Sequence, residues 1–275
     1  MASEGLQGHR ARKRFGQNFL HDRHWIERIA KAVNATEGDD IVEIGPGQAA
    51  LTRELIAGAG KVRAVEIDRD LAAWLKETFP KSLSLIEADA LTLDWTQVAK
   101  NNNLRVVGNL PYNISSPLLF KLLEAADHVK DQHFMLQKEV VDRMVAQHGS
   151  KTYGRLSVML QWRYRMQKLF DVPPGAFNPP PKVMSSVVRM IPKAKEEVPS
   201  VDFELFSSVV ANAFSQRRKT IRNALSALLS AEEIAACDVD PGARAEALPL
   251  DAFVRLAQKA EALGRKAVTP GTTVD

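Results

Sequence analysis

From residue 40 to about 191, short β-branched runs alternate with longer amphipathic stretches. Residues 41–44, 62–67, 83–86, 105–108 and 133–136 read as strands, while 49–57, 69–79 and 138–147 carry the apolar spacing of helices. Strands separated by helices predict right-handed βαβ units, hence an α/β fold on a doubly wound, mostly parallel sheet. Two later runs, 156–162 and 186–191, flank the Pro-rich stretch 172–182 with no helix between them, and are expected to form an antiparallel pair at the sheet edge. Beyond residue 200 the punctuation changes. Phe203, Phe206, Val209, Val210, Ala213 and Phe214 recur at helical spacing, as do Ile221, Leu225, Leu228 and Leu229, and a further helix start falls at 248–251. The plan is an N-terminal segment (1–39), an α/β domain (40–192), a linker (193–200) and a small all-helical domain (201–275), loose after Gly264.

Composition narrows the class without choosing a function. With 275 residues, 45% hydrophobic and 25% charged, the chain is an ordinary globular protein rather than a disordered or fibrous one. Its one cysteine, Cys237, closes no internal disulfide, and six histidines show no ligand-like spacing, so a cytoplasmic, metal-independent protein is expected. The start has no apolar run fit for a signal peptide, and no window approaches the ~18 apolar residues of a membrane span. The net charge of +4 matters less than its placement. Arg10, Arg12, Lys13 and Arg14 crowd one segment, and Arg217, Arg218, Lys219 and Arg222 another. Such clusters serve either as solvated faces or as contacts to a phosphate backbone.

Polar residues punctuate the ends of the first four strands: Gly45-Pro46-Gly47, Glu66, Asp89 and Asn109-Leu110-Pro111-Tyr112. Ligands of open α/β sheets sit at those ends, where strand order reverses. Pro46 removes one of the amides that would face a pyrophosphate, so a dinucleotide fits this turn poorly. Glu66 stands where an acid accepts hydrogen bonds from a ribose diol, and Asp89 is suited to an exocyclic amine. A nucleoside without a pyrophosphate, on a Rossmann-like sheet, points to S-adenosylmethionine. In the fourth loop the Asn109 side-chain oxygen and the Leu110 carbonyl are two acceptors for the two hydrogens of an adenine amine. Tyr112 offers a stacking face that also stabilises developing positive charge. Phe177, on the stiff loop Phe177-Asn178-Pro179-Pro180-Pro181-Lys182, either clamps a base from the opposite face or plugs the edge of the core.

With those motifs together, the chain resembles the ribosomal RNA adenine dimethyltransferases, in particular their bacterial small-subunit branch. The likeness runs from RKRFGQNFL (12–20) through VEIGPG, NLPYNIS, HFMLQKEV, YGRLSVM and PPPKV to FSQRRKTIRNAL (214–225), nearly the whole chain. It departs at Gln48-Ala49, where Leu-Gly is usual, and at Met184, where an acidic residue is common. The resemblance implies S-adenosylmethionine-dependent dimethylation of N6 on two adjacent adenosines in a hairpin loop near the 3′ end of 16S rRNA, in the assembling 30S subunit; with no strong dimerisation signal in the sequence, a monomer is expected. It implies cofactor contacts at Asn18, Leu20, Gly45, Glu66, Asp89 and Asn109. Asn109, Leu110 and Tyr112 match the catalytic motif, Phe177 the base-stacking aromatic, and residues 216–222 an RNA-facing segment, with Arg12, Lys13 and Arg14 as further RNA contacts. Rival readings are a 23S rRNA methyltransferase of the macrolide-resistance type, a subunit-assembly binding factor and, against Pro46, an NAD-dependent oxidoreductase.

Overall fold

The computed structural model describes residues 17–99 and 102–270, together with Leu6. The chain divides into two compact units: Met1–Val141 with Arg165–Pro192, and Asp142–Tyr164 with Lys193–Asp275.

In the first unit β1 (Phe19–Leu20) and α1 (Arg23–Val33) precede the alternating β2 (Ile41–Ile44), α2 (Ala50–Ala59), β3 (Val62–Glu66), α3 (Arg69–Thr78) and β4 (Leu83–Glu87). Then come α4 (Trp95–Val98), β5 (Leu104–Asn109), α5 (Ser115–Leu122), β6 (Val129–Gln137) and α6 (Lys138–Met144), which runs across the division between units. After α7 (Arg155–Arg163) the chain forms β7 (Tyr164–Val172), β8 (Phe177–Asn178) and β9 (Ser185–Pro192). Seven strands make one sheet in the order β4-β3-β2-β5-β6-β9-β7, and β1 pairs with β8 apart from it. The strands from β4 to β6 are parallel neighbours, and β9 runs antiparallel to β6. Strand order therefore reverses at β2, flanked by β3 and β5. The Val- and Ile-rich strands β2 and β5 are buried along nearly their whole length, as parallel strands covered on both faces must be. Gly108 lets β5 close on β2, since a Cβ there would lie 2.8 Å from the Ile44 carbonyl oxygen. Asp22, Asp68 and Asp94 start α1, α3 and α4 by accepting the first free amides.

One buried cation ties α1 to the amino-terminal end of the sheet. Arg105 of β5 donates from Nε and Nη2 to both oxygens of Asp131 on β6, each at 2.9 Å. Its Nη1 donates to Asp39 Oδ2 at 2.7 Å, and Nη2 also donates to the Val33 carbonyl at the end of α1, at 2.6 Å. Burial opposes the charge on Asp39, but the Thr36 amide and the Arg105 guanidinium outweigh it and hold the carboxyl down at about 2.

The second unit is helical: α7, α8 (Phe203–Phe214), α9 (Ile221–Ala224), α10 (Ala231–Ala235) and α11 (Leu250–Ala262). Trp162 and Phe206 rings stand 5.4 Å apart, and Phe214 and Phe253 rings 5.5 Å apart. One sequence expectation is corrected here. Residues 156–162 form helix α7, not an edge strand. Leu156, Val158, Met159 and Leu160 are all buried, so apolar residues surround this helix and hide its period. The edge strand is β7, whose Arg165 and Lys168 break the apolar pattern as charged residues on edge strands do. Beyond Gly264 the chain is anchored at Val268. The Val268 carbonyl accepts from Ser208 Oγ at 2.7 Å and from Asn212 Nδ2 at 3.0 Å, and its amide donates to Ser208 Oγ at 2.9 Å. Residues 271–275 lie outside the described residues.

Replacing Arg105 by Met should cost about 3–5 kcal/mol in urea unfolding at neutral pH, because it leaves the buried Asp131 without its cation and Asp39 with only Lys130 at 3.4 Å. The Asp39 share of the network is present above its ordinary pKa of 3.8 and disappears as pH falls through about 2. A loss below ~1 kcal/mol would show that the network does not carry the junction.

Candidate active site

The carboxyl ends of β2, β3 and β5, with the loop after β4, open on a cavity of about 320 Å³ at the switch point of the sheet. Asn18, Leu20, Gly45, Glu66, Asp89, Asn109, Leu110 and Tyr112 all line it. Of the residues expected at the cofactor or the reacting base, only Phe177 stands apart.

After β2 the chain turns through Gly45 and Gly47, with φ of 66° and 53°. A Cβ on Gly47 would come within 3.0 Å of the Phe19 ring, so this glycine also admits the N-terminal segment to the cavity wall. Glu66, at the end of β3, is only 5% exposed. Its Oε1 accepts the Asp68 amide at 2.9 Å and its Oε2 the Gly47 amide at 3.3 Å, leaving each oxygen a further lone pair. Burial pushes this carboxyl upward against the bonds from the Asp68, Gly47 and Ile67 amides. Asp89 Oδ1 accepts the Leu91 amide at 2.9 Å, which sets the carboxylate in the loop after β4.

The segment Gln17–Leu20 straps the strand ends together. Gln17 Nε2 donates to Asp68 Oδ2 at 3.1 Å, and β1 pairs with β8 through Phe19–Asn178 and Leu20–Phe177. Between them the Asn18 carbonyl accepts Asn109 Nδ2 at 3.1 Å. That bond orients the Asn109 amide with its nitrogen toward the strap and its Oδ1 turned away from it. Leu110 is held by its amide, which donates to the Met135 carbonyl at 3.1 Å. The Tyr112 hydroxyl lies 2.9 Å from Ser185 Oγ, and burial raises its pKa, so it stays a neutral phenol.

Phe177 is placed apart from the cavity. Its ring is 3% exposed and packs in the core with Leu20, Ile29 and Val172, where the β1–β8 ladder holds it. In the second unit Arg217, Arg218 and Lys219, between α8 and α9, and Arg222, in α9, are all exposed, and Arg217 donates to the Lys151 carbonyl at 2.9 Å. Arg10, Arg12, Lys13 and Arg14 lie outside the described residues. Among the described residues no cluster of His, Cys, Asp or Glu is placed to hold a metal ion, and no helix is long and apolar enough to cross a membrane.

Sequence reasoning missed three residues of the site. Ile67, 45% exposed just beyond Glu66, presents an apolar surface to the cavity. Ser185 reaches Tyr112 from another strand, which no local pattern announces. Glu43, an acid inside the apolar strand Ile41–Ile44, was visible in the sequence as a break in its pattern. It lines the cavity at 3% exposure, and its Oε2 has no hydrogen-bond partner among the described residues.

This sheet with a built crevice at its switch point is the fold of the Rossmann-like methyltransferases. The sequence model described as ribosomal RNA adenine dimethylase matches residues 8–261, and the chain belongs to that family, whose methyl donor is S-adenosylmethionine. It is 53% identical to the ribosomal RNA small subunit methyltransferase A of Pseudomonas aeruginosa, over 95% of this chain and 99% of that one. The protein of the same name from Bordetella petrii is 55% identical over 91% of this chain and 95% of its own. Among solved structures, a dimethyladenosine transferase from Plasmodium falciparum superposes with a TM-score of 0.79 at 25% identity, covering 91% of this chain and all (100%) of that one. The 23S rRNA methyltransferase ErmE gives 0.68 at 26% identity, over 89% of this chain and 100% of its own.

The cavity suits this cofactor. Glu66 keeps a lone pair on each oxygen for a diol, Pro46 offers no amide to a phosphate, and Ile67 supplies an apolar face beside the acid.

Burial, with the charge of Glu66 adding to it, pushes Glu43 up to about 7 from 4.5. The native state then holds a proton that the unfolded chain releases between those values, so stability falls as pH rises from 4.5 to 7. Glu43→Gln should remove that slope, gaining up to about 3 kcal/mol at pH 8 relative to its effect at pH 4.5. Parallel stability–pH curves for the two proteins would show that Glu43 does not titrate near neutrality.

Proposed function

We propose that the protein dimethylates N6 of two adjacent adenosines in a hairpin loop near the 3′ end of 16S rRNA, in the assembling small subunit, acting in the cytoplasm as a monomer. The carrying observation is the convergence of Glu66, Asp89 and the Asn109–Tyr112 loop on one cavity at the switch point of the sheet. Relatives at 53–55% identity that are named for the small subunit favour that substrate over 23S rRNA, whose methyltransferase is similar at 26%.

In this reading Glu66 holds the ribose diol, Asp89 accepts from the exocyclic amine of the cofactor, and Asn18, Leu20 and Gly45 close around it. Bound S-adenosylmethionine supplies an electrophilic methyl group on a sulfonium sulfur. The protein's task is to make an adenine amine attack. That nitrogen is a poor nucleophile because its lone pair is delocalised into the ring. Asn109 Oδ1 and the Leu110 carbonyl accept its two hydrogens, which favours a pyramidal nitrogen with its lone pair directed outward. Tyr112 stacks on the base, and the same three groups stabilise the positive charge that grows on nitrogen. No strong base is required beforehand: the N–C bond would form as the C–S bond breaks to leave a neutral thioether, and only then does the amine proton become acidic and pass to solvent water. Catalysis is therefore positioning and charge stabilisation. The helical unit recognises RNA, with Arg217, Arg218, Lys219 and Arg222 contacting phosphates.

Mass spectrometry of 16S and 23S rRNA from cells with and without the protein tests the function directly. Dimethyladenosine missing from 23S rather than 16S rRNA would overturn it. Asn109→Ala should lower kcat by about 10²–10³-fold while cofactor affinity is only moderately reduced. Glu66→Ala should instead weaken cofactor binding by about 10–100-fold in calorimetry. The double variant Arg218→Ala, Lys219→Ala should reduce the slope of log affinity for RNA against log salt by about 0.7–0.9 per lost cation.

A further inference from the structure

Tyr112 belongs to a loop, yet its ring ends on the sheet. Its hydroxyl meets Ser185 Oγ at 2.9 Å, from a residue 73 positions further along the chain. Ser185 is 1% exposed and opens β9, facing Gln137 in the antiparallel ladder with β6. The preceding Met184 carbonyl accepts the Lys138 amide at 2.9 Å, so the backbone is held on both sides of the serine. The main chain of Tyr112 is fixed separately, its carbonyl accepting from Ser115 Oγ at 3.1 Å. Backbone anchoring alone leaves a tyrosine two free side-chain torsions. A hydrogen bond at the far end of the ring removes both.

Successive residues of a strand face opposite sides, and the neighbouring serine confirms the assignment of faces. Ser186 Oγ donates to Asp171 Oδ1 at 2.5 Å, away from the loop. Of the two consecutive serines, one serves the cavity and the other the sheet.

We propose that Ser185 is a positioning residue for methyl transfer: its hydroxyl locks the Tyr112 ring in the orientation that receives the target base. The inference rests on the reading that Tyr112 stacks on that base, and it adds what the motif lacks, a rigid support for a ring carried by a loop. The phenol stays protonated because burial raises its pKa, so the bond persists across the neutral range.

The test is a double-mutant cycle with Ser185→Ala and Tyr112→Phe, assayed with S-adenosylmethionine on small-subunit particles that lack the methyl groups. Each single variant should lose about five-fold in kcat, the effect of one neutral hydrogen bond, with KM for the particle and cofactor affinity nearly unchanged. The double variant should be no slower than either single one. Ser186→Ala should keep full kcat. Wild-type kcat in Ser185→Ala, or an equal further loss when that change is made in the Tyr112→Phe background, would overturn the proposal. Tyr112→Ala separates the layers. If it reacts normally, the stacking reading itself fails; if it is slow while Ser185→Ala is not, only the support role fails.

Discussion

The amide of Asn109 donating to the Asn18 carbonyl is the bond on which the site depends. It joins the end of β5 to a segment that precedes the sheet in sequence. The same segment reaches the loop after β3 through Gln17 and Asp68, and packs Phe19 against Gly47 in the turn after β2. Three strand ends are therefore braced by one short strap, itself held by β8. An asparagine without such a partner presents either its oxygen or its nitrogen to a ligand. Here the strap takes the nitrogen and leaves the acceptor, which is the chemistry that an amine requires.

The two ends of the sheet use buried polar groups in opposite ways. At the amino end Arg105 satisfies Asp131, Asp39 and the last carbonyls of α1, so charge is paired and the junction is rigid. At the carboxyl end Glu43 keeps an oxygen without a partner, and Glu66 is bonded only by backbone amides. Unsatisfied groups of this kind weaken a folded chain, and they persist where a site needs them. The contrast accounts for an acid near neutrality in one place and an acid near 2 in the other.

Much of the first unit was legible because parallel strands repeat one signal: an apolar run, then a polar residue at the turn. Gly45, Glu66, Asp89 and Asn109 stood out for that reason, and the cavity brings them together. Where the signal is two-sided, reading failed. Residues 156–160 are buried on every side, so the period of a helix was invisible and a strand was inferred. Strand β7 carries charges that dilute its pattern. Phe177 sits in a motif that suggests an exposed aromatic, but its pairing with Leu20 turns the ring into the core.

By itself the sequence determined the alternation of elements from β2 to β6, the switch-point loops and the residue types each loop presents, because these depend on local periodicity and on residue type. Only the tertiary structure decided which atom of Asn109 turns away from the strap, that Ser185 meets the Tyr112 hydroxyl, and that Phe177 packs in the core. Those outcomes depend on contacts between residues far apart in the chain, whose partners are set by strand register and strand order rather than by any neighbour in sequence.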